Sequence, residues 1–561
     1  MPKIHSLSIS NFKGICEFKQ TFDQKNFICI IGRGDSGKTT ILQAINLVLS
    51  SNWNVSFTDN DFHNQNIEKP IEIIATLYDL PESILKESKF GLHLRGIDFS
   101  TNVINDEIQQ NDIPSITIKL VVTKSLEPIW YITNDRTQHD VEIKSSDRSK
   151  FNTFLISDYI DRHFSWSKGS PLYTLLKADD SAINATELIL ETIREAKNKI
   201  DSSTFPDLQT IIDNIKINAQ KFGVDLANIS TTVDFRDIII KEGKINLHDD
   251  STPIRLKGKG SKRLLSIAIQ LELFILNNGG ILLIDEIEQG LEPDRVQNLA
   301  RILKNNKNSQ VFITTHSRDV IVELNSDDLL KLSKNSNKLY NFTAAEQGTL
   351  RSNPEAFFAK KIILCEGATE VGMIRGISNF NYQNSDFRFS NNGVRYLDCN
   401  GDTKIKKYIE VFKDKEYDLL VFCDSDNDAN STVASLKQYI KDESIDSAQC
   451  ESGKALENQI FSDVDFETIK KIFELELLED KSSLKSSIQN RYTGTNWNDD
   501  FLSNDNLEIR NAMGIASNKN KWIKRIDMGA SVGEICMSSL NEFKDKHLHK
   551  MISDINKWVG K

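Results

Sequence analysis

Residues 3–12 alternate apolar and polar positions, with Ile4, Leu7 and Ile9 set against polar neighbours, while Phe27–Ile31 is an unbroken apolar run. The first pattern predicts a half-buried strand and the second a fully buried one. A helix is expected from about Thr39 to Val48, and Ile71–Tyr78 and Ser115–Thr123 predict two further strands. From Phe151 to Ala227 the pattern turns mostly helical, with Leu188, Ile189, Ile193, Ala196 and Ile200 at helical spacing. Ile281–Ile284 and Val311–Thr315 read as short buried strands with a helix on either side. A second α/β rhythm starts at Lys361, with strands Ile362–Cys365, Arg395–Cys399 and Leu419–Cys423 separated by helices. The last hundred residues or so read as polar helix, and no internal repeat or low-complexity linker interrupts the chain.

A chain of 561 residues exceeds what one core serves, so two or three domains are expected. Apolar residues at 39% and charged residues at 27% are the balance of a water-soluble globular protein. The seven cysteines are scattered without a CxxC pair, which argues against a disulfide framework or a zinc site and for a reducing compartment. The first residues lack the apolar core of a signal peptide, and no run approaches the roughly 18–20 apolar residues of a membrane span. A cytoplasmic protein without membrane contact is therefore expected. Net charge is −11, so any nucleic-acid contact must come from local basic patches.

Gly32–Thr39 reads GRGDSGKT, a complete GxxxxGK[ST] loop between a predicted strand and a predicted helix. Gly32, Gly34, Asp35, Ser36, Gly37, Lys38, Thr39 and Thr40 are the expected nucleotide-binding residues. Backbone amides of the loop and the helix N-terminus would cradle phosphates, Lys38 would reach the β- and γ-phosphates, and Thr39 would offer its hydroxyl to Mg²⁺. Residues 280–292 read GILLIDEIEQGLE, an apolar strand ending in Asp285 and Glu286. Asp285 would hold Mg²⁺ through water and Glu286 would orient and deprotonate the attacking water. A third strand, VFITTHS, ends at His316, where ABC-type ATPases keep a histidine that senses the γ-phosphate. Leu256–Leu265 reads LKGKGSKRLL, the place of the ABC signature loop, with Gly260 and Ser261 expected to contact the nucleotide of an opposite subunit.

In this order the motifs resemble the RecF/SMC branch of ABC ATPases. The wide gap between Lys38 and Asp285 resembles that branch's split head, here with a compact helical insertion, used for dimerisation, in place of a long coiled-coil arm. The resemblance implies an ATP site shared between subunits and hence at least a homodimer. One departure is Glu292, where ABC proteins commonly have Asp.

Residues 362–370 read IILCEGATE and residues 419–428 read LLVFCDSDND. Each is a buried strand ending in carboxylates, and in a parallel α/β sheet such tips converge on one crevice. Glu366, Asp424 and Asp426 would surround one or two divalent ions, with Glu370 one helical turn beyond Glu366. Hard oxygen ligands suit Mg²⁺ or Mn²⁺, and two such ions can activate water and stabilise the leaving oxygen of a phosphodiester. The pair of motifs resembles a Toprim domain.

An ABC-type ATPase followed by Toprim resembles the OLD (overcoming lysogenization defect) family, which includes the nuclease subunit of Gabija anti-phage systems. YIDRHFSWSKGSPLYTL (159–175) also resembles the family's segment ahead of its helical insertion. The resemblance implies a further metal-binding carboxylate and a lysine at the cleavage site, falling on Glu457 and on Lys524, with Lys519 and Lys521 as rivals. The expected fold class is α/β: an ABC/SMC-like ATPase head with a helical dimerisation insertion, then a Rossmann-like Toprim domain with a mostly helical C-terminal extension. The expected division is 1–150 and 236–350 for the two ATPase lobes, 151–235 for the insertion and 351–561 for the Toprim part. The expected activity is an ATP-hydrolysing, Mg²⁺- or Mn²⁺-dependent DNA endonuclease or nickase in phage defence or DNA processing, with a possible UvrD-like helicase partner. The alternatives are a non-cleaving RecF/SMC-like clamp or sensor and a nuclease acting on RNA.

Overall fold

The computed structural model describes residues 1–136, 139–156, 247–333, 336–426, 431–475, 481–495, 497–503 and 505–560, with scattered positions between 161 and 221. Most of the expected insertion at 151–235 lies outside the described residues, as do its expected dimerising role and most of the family-like segment 159–175.

The N-terminal lobe is an antiparallel sheet in the order Ile15–Thr21, Lys3–Phe12, Ile71–Tyr78, Ile113–Val122, Arg95–Asp98 and Val103–Asn105; Pro128–Thr133 also pairs with Ile113–Val122. Ile4, Leu7, Ile9 and Phe12 point into its core, which is the burial the alternating pattern predicts. Across this core lies the helix Lys38–Val48, which buries Ile41, Leu42, Ile45 and Val48.

The central sheet runs Thr153–Ile156, Ile281–Ile284, Gln310–Thr315, Phe27–Ile31, Leu329–Leu332 and Leu339–Asn341, all parallel except the last. Its inner strands are buried on both faces, which is why they read as unbroken apolar runs. Thr153–Ile156 corrects the expectation that helix begins near Phe151. Its four residues pair in register with Ile281–Ile284, and so short an edge strand leaves no periodicity to read.

The third sheet is fully parallel in the order Val394–Asp398, Lys361–Cys365, Asp418–Cys423 and Asp446–Gln449. Helices follow, among them Leu456–Asp463, Leu507–Asn520, Ile526–Ser538 and His547–Val559. One continuous core links the second and third sheets: Phe357 packs edge-on against Phe342 (5.1 Å) and Phe412 (5.4 Å), and the Tyr417 hydroxyl donates to the Phe357 carbonyl (2.8 Å). All seven cysteines are free thiols. No helix among the described residues is long and apolar enough to cross a membrane.

Candidate active sites

The strand Phe27–Ile31 delivers the Gly32–Thr39 loop to the C-terminal edge of the central sheet, and Gly37, at φ +99°, turns the chain into the helix. Left-handed backbone of this kind costs glycine little. The Lys38 ammonium is buried and donates to the loop's own carbonyls, Gly32 (3.0 Å) and Arg33 (2.8 Å). Burial pushes its pKa down to about 8, against the pull of Asp285, Glu286, Glu288 and Asp35, which all lie within electrostatic range. Thr39 is exposed on the same rim.

One strand, Gln310–Thr315, separates the loop's strand from Ile281–Ile284, so Asp285 and Glu286 emerge across a narrow crevice from Lys38. Thr314 fixes that tip: its hydroxyl donates to Asp285 Oδ1 (2.6 Å) and accepts from the Glu286 amide (2.8 Å). Glu286 itself sits at φ +45° with its side chain exposed. Glu288, which motif reading passed over, accepts from the Thr315 hydroxyl (2.7 Å) and the His316 amide (2.6 Å). His316 thus stands at the crevice mouth; burial first, and then the Lys38 charge, lower its pKa.

The signature segment starts the helix Lys259–Leu276, with Gly258 as its N-cap. A β-carbon at Gly260 would run into the carbonyl of Gly290, itself at φ +74°, so the helix start and the GLE turn pack backbone to backbone. Arg263, also unforeseen, donates to the Asp285 carbonyl and to Gln289 Oε1 (2.7 Å), tying the same helix to the carboxylate-bearing turn. Ser261 is half-buried beside this turn, whereas Glu292 caps the next helix and pairs with Arg295 at 3.3 Å.

In the third sheet Cys365 pairs with Phe422, and the Glu366 amide donates to the Phe422 carbonyl (3.1 Å). This register sets the two acidic tips side by side, and the Asp424 amide donates to Glu366 Oε2 (3.0 Å). Asp424 Oδ1 accepts from the Leu456 amide (2.7 Å), Glu370 Oε2 from the Gly367 amide (2.9 Å), and Glu457 Oε1 from the Thr369 hydroxyl (3.2 Å). Glu370 and Glu457 are 4% and 1% exposed, so these are interior carboxylates. Burial is the main cause that raises Glu366, Glu370, Asp424 and Glu457 above the ordinary carboxylate range. Asp424 also feels Glu370, Glu366, Glu457 and Asp426, so it stands between two halves of the cluster. Asp426 is exposed but lines the same small cavity as Glu366 and Asp424.

Lys524 reaches the site through helix packing. Gly372 and Gly376 of the helix Ala368–Ser385 meet Gly529 and Gly533 of Ile526–Ser538 without room for a β-carbon, which draws the preceding loop against the strand tips. The Lys524 charge opposes the upward shifts of both Glu366 and Glu457. No hydrogen bond joins Lys524 to a carboxylate among the described residues. Nor do any three His, Cys, Asp or Glu side chains there stand ready as a cation cage. The donor set nevertheless fits a hard divalent ion: buried oxygen ligands whose mutual repulsion no bonded cation relieves.

Comparison with known proteins identifies two domains. Residues 27–323 match the family described as "AAA domain, putative AbiEii toxin, Type IV TA system", more than half of the chain. The chain belongs to this ATPase family. Residues 357–426 match "Overcoming lysogenization defect protein-like, TOPRIM domain", so an OLD-like Toprim domain follows the AAA/ABC-type ATPase domain. Distant relatives are the "Retron Vc95 probable ATPase" of Vibrio cholerae serotype O1 biovar El Tor, 24% identical over 58% of this chain and 73% of the relative, and the "Retron Ec83 probable ATPase" of Escherichia coli, 23% identical over 60% and 72%. Among solved structures, an SMC head bound to the C-winged helix domain of ScpA matches with a TM-score of 0.36 at 15% identity, over 62% of this chain and 99% of that one. An ATPase domain implies ATP binding, and a Toprim domain implies a divalent cation.

Between the two domains lies a cavity of about 330 Å³, lined by Gly32, Arg33, Lys331, Ser333, Lys360 and Glu416 among others. Here the Arg33 side chain of the P-loop rests on Gly393 of the OLD-like Toprim domain.

Proposed function

We propose that this OLD-like protein hydrolyses ATP and cleaves DNA phosphodiesters with Mg²⁺ or Mn²⁺, the ATPase domain regulating the Toprim site. What supports the reading above all is the buried carboxylate cluster at adjacent strand tips, with Lys524 within range and no bonded cation to neutralise it. A divalent ion bound there supplies charge stabilisation and an activated water. Glu366, Asp424, Asp426, Glu370 and Glu457 hold it, and Lys524 offsets charge that develops on the scissile phosphate. In the other crevice Lys38 binds phosphate, Asp285 and Thr39 hold Mg²⁺, Glu286 orients water, and His316 faces the γ-phosphate. Gly260 and Ser261 complete the nucleotide site of a second copy, which makes the working unit at least a homodimer. Defence against phage is the biological setting that the family resemblance suggests.

The test is cleavage of plasmid and phage DNA, with RNA as a parallel substrate. Cleavage is expected to need Mg²⁺ or Mn²⁺ and to fall by orders of magnitude in Glu366→Ala and Asp424→Ala, while ATP turnover persists. Cleavage undiminished in both variants overturns the nuclease reading, and cleavage of RNA alone changes its substrate.

A further inference from the structure

The N-terminal edge of the Toprim sheet faces the P-loop across the cavity of about 330 Å³. Along that edge Val394, Lys361 and Asp418 stand side by side on adjacent strands, and the Asp418 amide donates to the Lys360 carbonyl (3.2 Å). The ATPase domain touches this row at both ends. At one end Arg33 fills the space over Gly393. At the other, the buried Lys331 ammonium donates to the carbonyls of Lys415 and Glu416, the second at 3.1 Å, and lies 3.6 Å from the centre of the Tyr417 ring. The Glu416 carboxylate accepts from the hydroxyls of Ser333 and Tyr340, the latter at 2.6 Å. Three consecutive residues, 415–417, are thus gripped by the central sheet just ahead of the strand Asp418–Cys423. Glu416 lies at φ +54°, a left-handed backbone that a residue with a side chain keeps only where its surroundings hold it.

The gripping strand is joined to the P-loop. Lys331 is the register partner of Ile31, the residue before Gly32, and Gly32 has no room for a β-carbon against the Leu332 carbonyl. On the Toprim side, the strands Lys361–Cys365 and Asp418–Cys423 end immediately before Glu366 and Asp424. Close-packed strands transmit a displacement and do not absorb it. A shift at the row therefore reaches the carboxylates about 17 Å away, at about 3.3 Å per residue.

We propose that the grip on Glu416 carries the state of the nucleotide site to the Toprim carboxylates. Glu416 is a positioning residue, which touches neither crevice and acts through the strand that bears Asp424. The inference deepens the reading above and rests on it in one respect, that Lys38 and its loop bind nucleotide. The cavity beside the grip is the space in which the P-loop and the Toprim edge move against each other.

The experiment is hydrogen–deuterium exchange of the full-length protein, read by mass spectrometry with Mg²⁺ throughout, with and without a non-hydrolysable ATP analogue. Wild type is compared with Ser333→Ala/Tyr340→Phe, which removes both hydroxyls. A second variant is Glu416→Asn, uncharged, one carbon shorter and at ease in a left-handed turn. In wild type the analogue is expected to change exchange at residues 27–45 and, by about twofold or more, at residues 415–424. In both variants the change at 27–45 is expected to persist, with analogue affinity by calorimetry within about threefold, while the change at 415–424 falls by about half or more. Should one variant unfold, shown by raised exchange throughout without analogue, the other decides. Analogue binding that leaves 415–424 unchanged in wild type overturns the inference, as does a change of wild-type size there in the folded variants. Absence of analogue binding in wild type overturns the nucleotide reading and the inference with it. Absence of DNA cleavage overturns only the nuclease reading, because exchange is read without it.

Discussion

The two crevices use carboxylates in opposite ways. Around Lys38 the acids stand at a rim with an ammonium in their midst, and Asp285, Glu286 and Glu288 are steered by Thr314, Thr315 and backbone amides. In the Toprim crevice Glu370 and Glu457 are interior and Asp424 is half-buried, and what they accept comes from amides, a hydroxyl and the Cys450 thiol, not from a bonded cation. In the first arrangement an ammonium of the same crevice already lies within range of the acids. The second stores repulsion that Lys524 relieves only in part and that a proton or a metal ion would relieve further. A charge beside its counter-charge makes a scaffold, whereas charges buried together make a receptor.

The largest effect expected from this contrast is on turnover. Lys38→Ala is expected to abolish tight nucleotide binding, and Glu286→Gln to keep binding while lowering hydrolysis by orders of magnitude. The lysine acts on phosphate in the ground state and the glutamate on water in the transition state. Both are read by equilibrium binding and phosphate release, and Mn²⁺ binding at the Toprim site is expected to survive in each. Loss of that binding would erase the division between the crevices.

Stability gives the next effect, with opposite signs. Thr314→Val strips two hydrogen bonds from the Asp285–Glu286 tip and is expected to cost about 1–3 kcal/mol in chemical denaturation. Asp424→Asn keeps the acceptor for the Leu456 amide and removes a buried charge, so the metal-free protein is expected to become more stable. A loss of stability in Asp424→Asn would break the comparison.

Dependence on pH follows with a smaller amplitude. Carboxylates whose folded pKa lies above the unfolded value contribute stability that is full at low pH and is lost as pH rises through the folded value. The shifts at Glu366, Glu370, Asp424 and Glu457 all run in that direction. Mg²⁺ or Mn²⁺ is therefore expected to raise the melting temperature more at about pH 8 than at about pH 5.5. Equal shifts at both values would deny the cluster its proton–metal exchange. Smallest is Lys524→Ala, expected to slow cleavage while changing Mn²⁺ affinity only a few-fold, since its exposed ammonium acts from beyond hydrogen-bond distance.

The parallel sheets were legible because their strands are continuous apolar runs ending in residues with chemistry. Gly32–Thr39, Ile281–Glu286, Val311–His316, Ile362–Glu366 and Leu419–Asp426 each carry their own punctuation, and the structure brings each group to the edge of its sheet. What stayed hidden is held by tertiary contact. Arg95–Asp98 and Val103–Asn105 are too short for a periodic signal, and Asp446–Gln449 has a mostly exposed, polar sequence at a sheet edge. Arg263 and Glu288 are single polar residues whose partners lie across a turn or on the next strand. Nothing in the local sequence sets Lys524 apart from Lys519 and Lys521; its range to Glu366 and Glu457 depends on the packing of two helices.

Gly393 gives the cross-domain contact a use as a measuring device. Its carbonyl accepts from the Lys360 amide (2.9 Å) and the Lys361 amide (3.1 Å), so it is fixed to the Toprim sheet, while the space a side chain would need is filled by Arg33 from the P-loop. Gly393 also lies at φ +72°, so a side chain there would strain the backbone as well as meet Arg33. Arg33 and Gly393 are thus the two jaws of a caliper set between the phosphate-binding loop and the Toprim sheet.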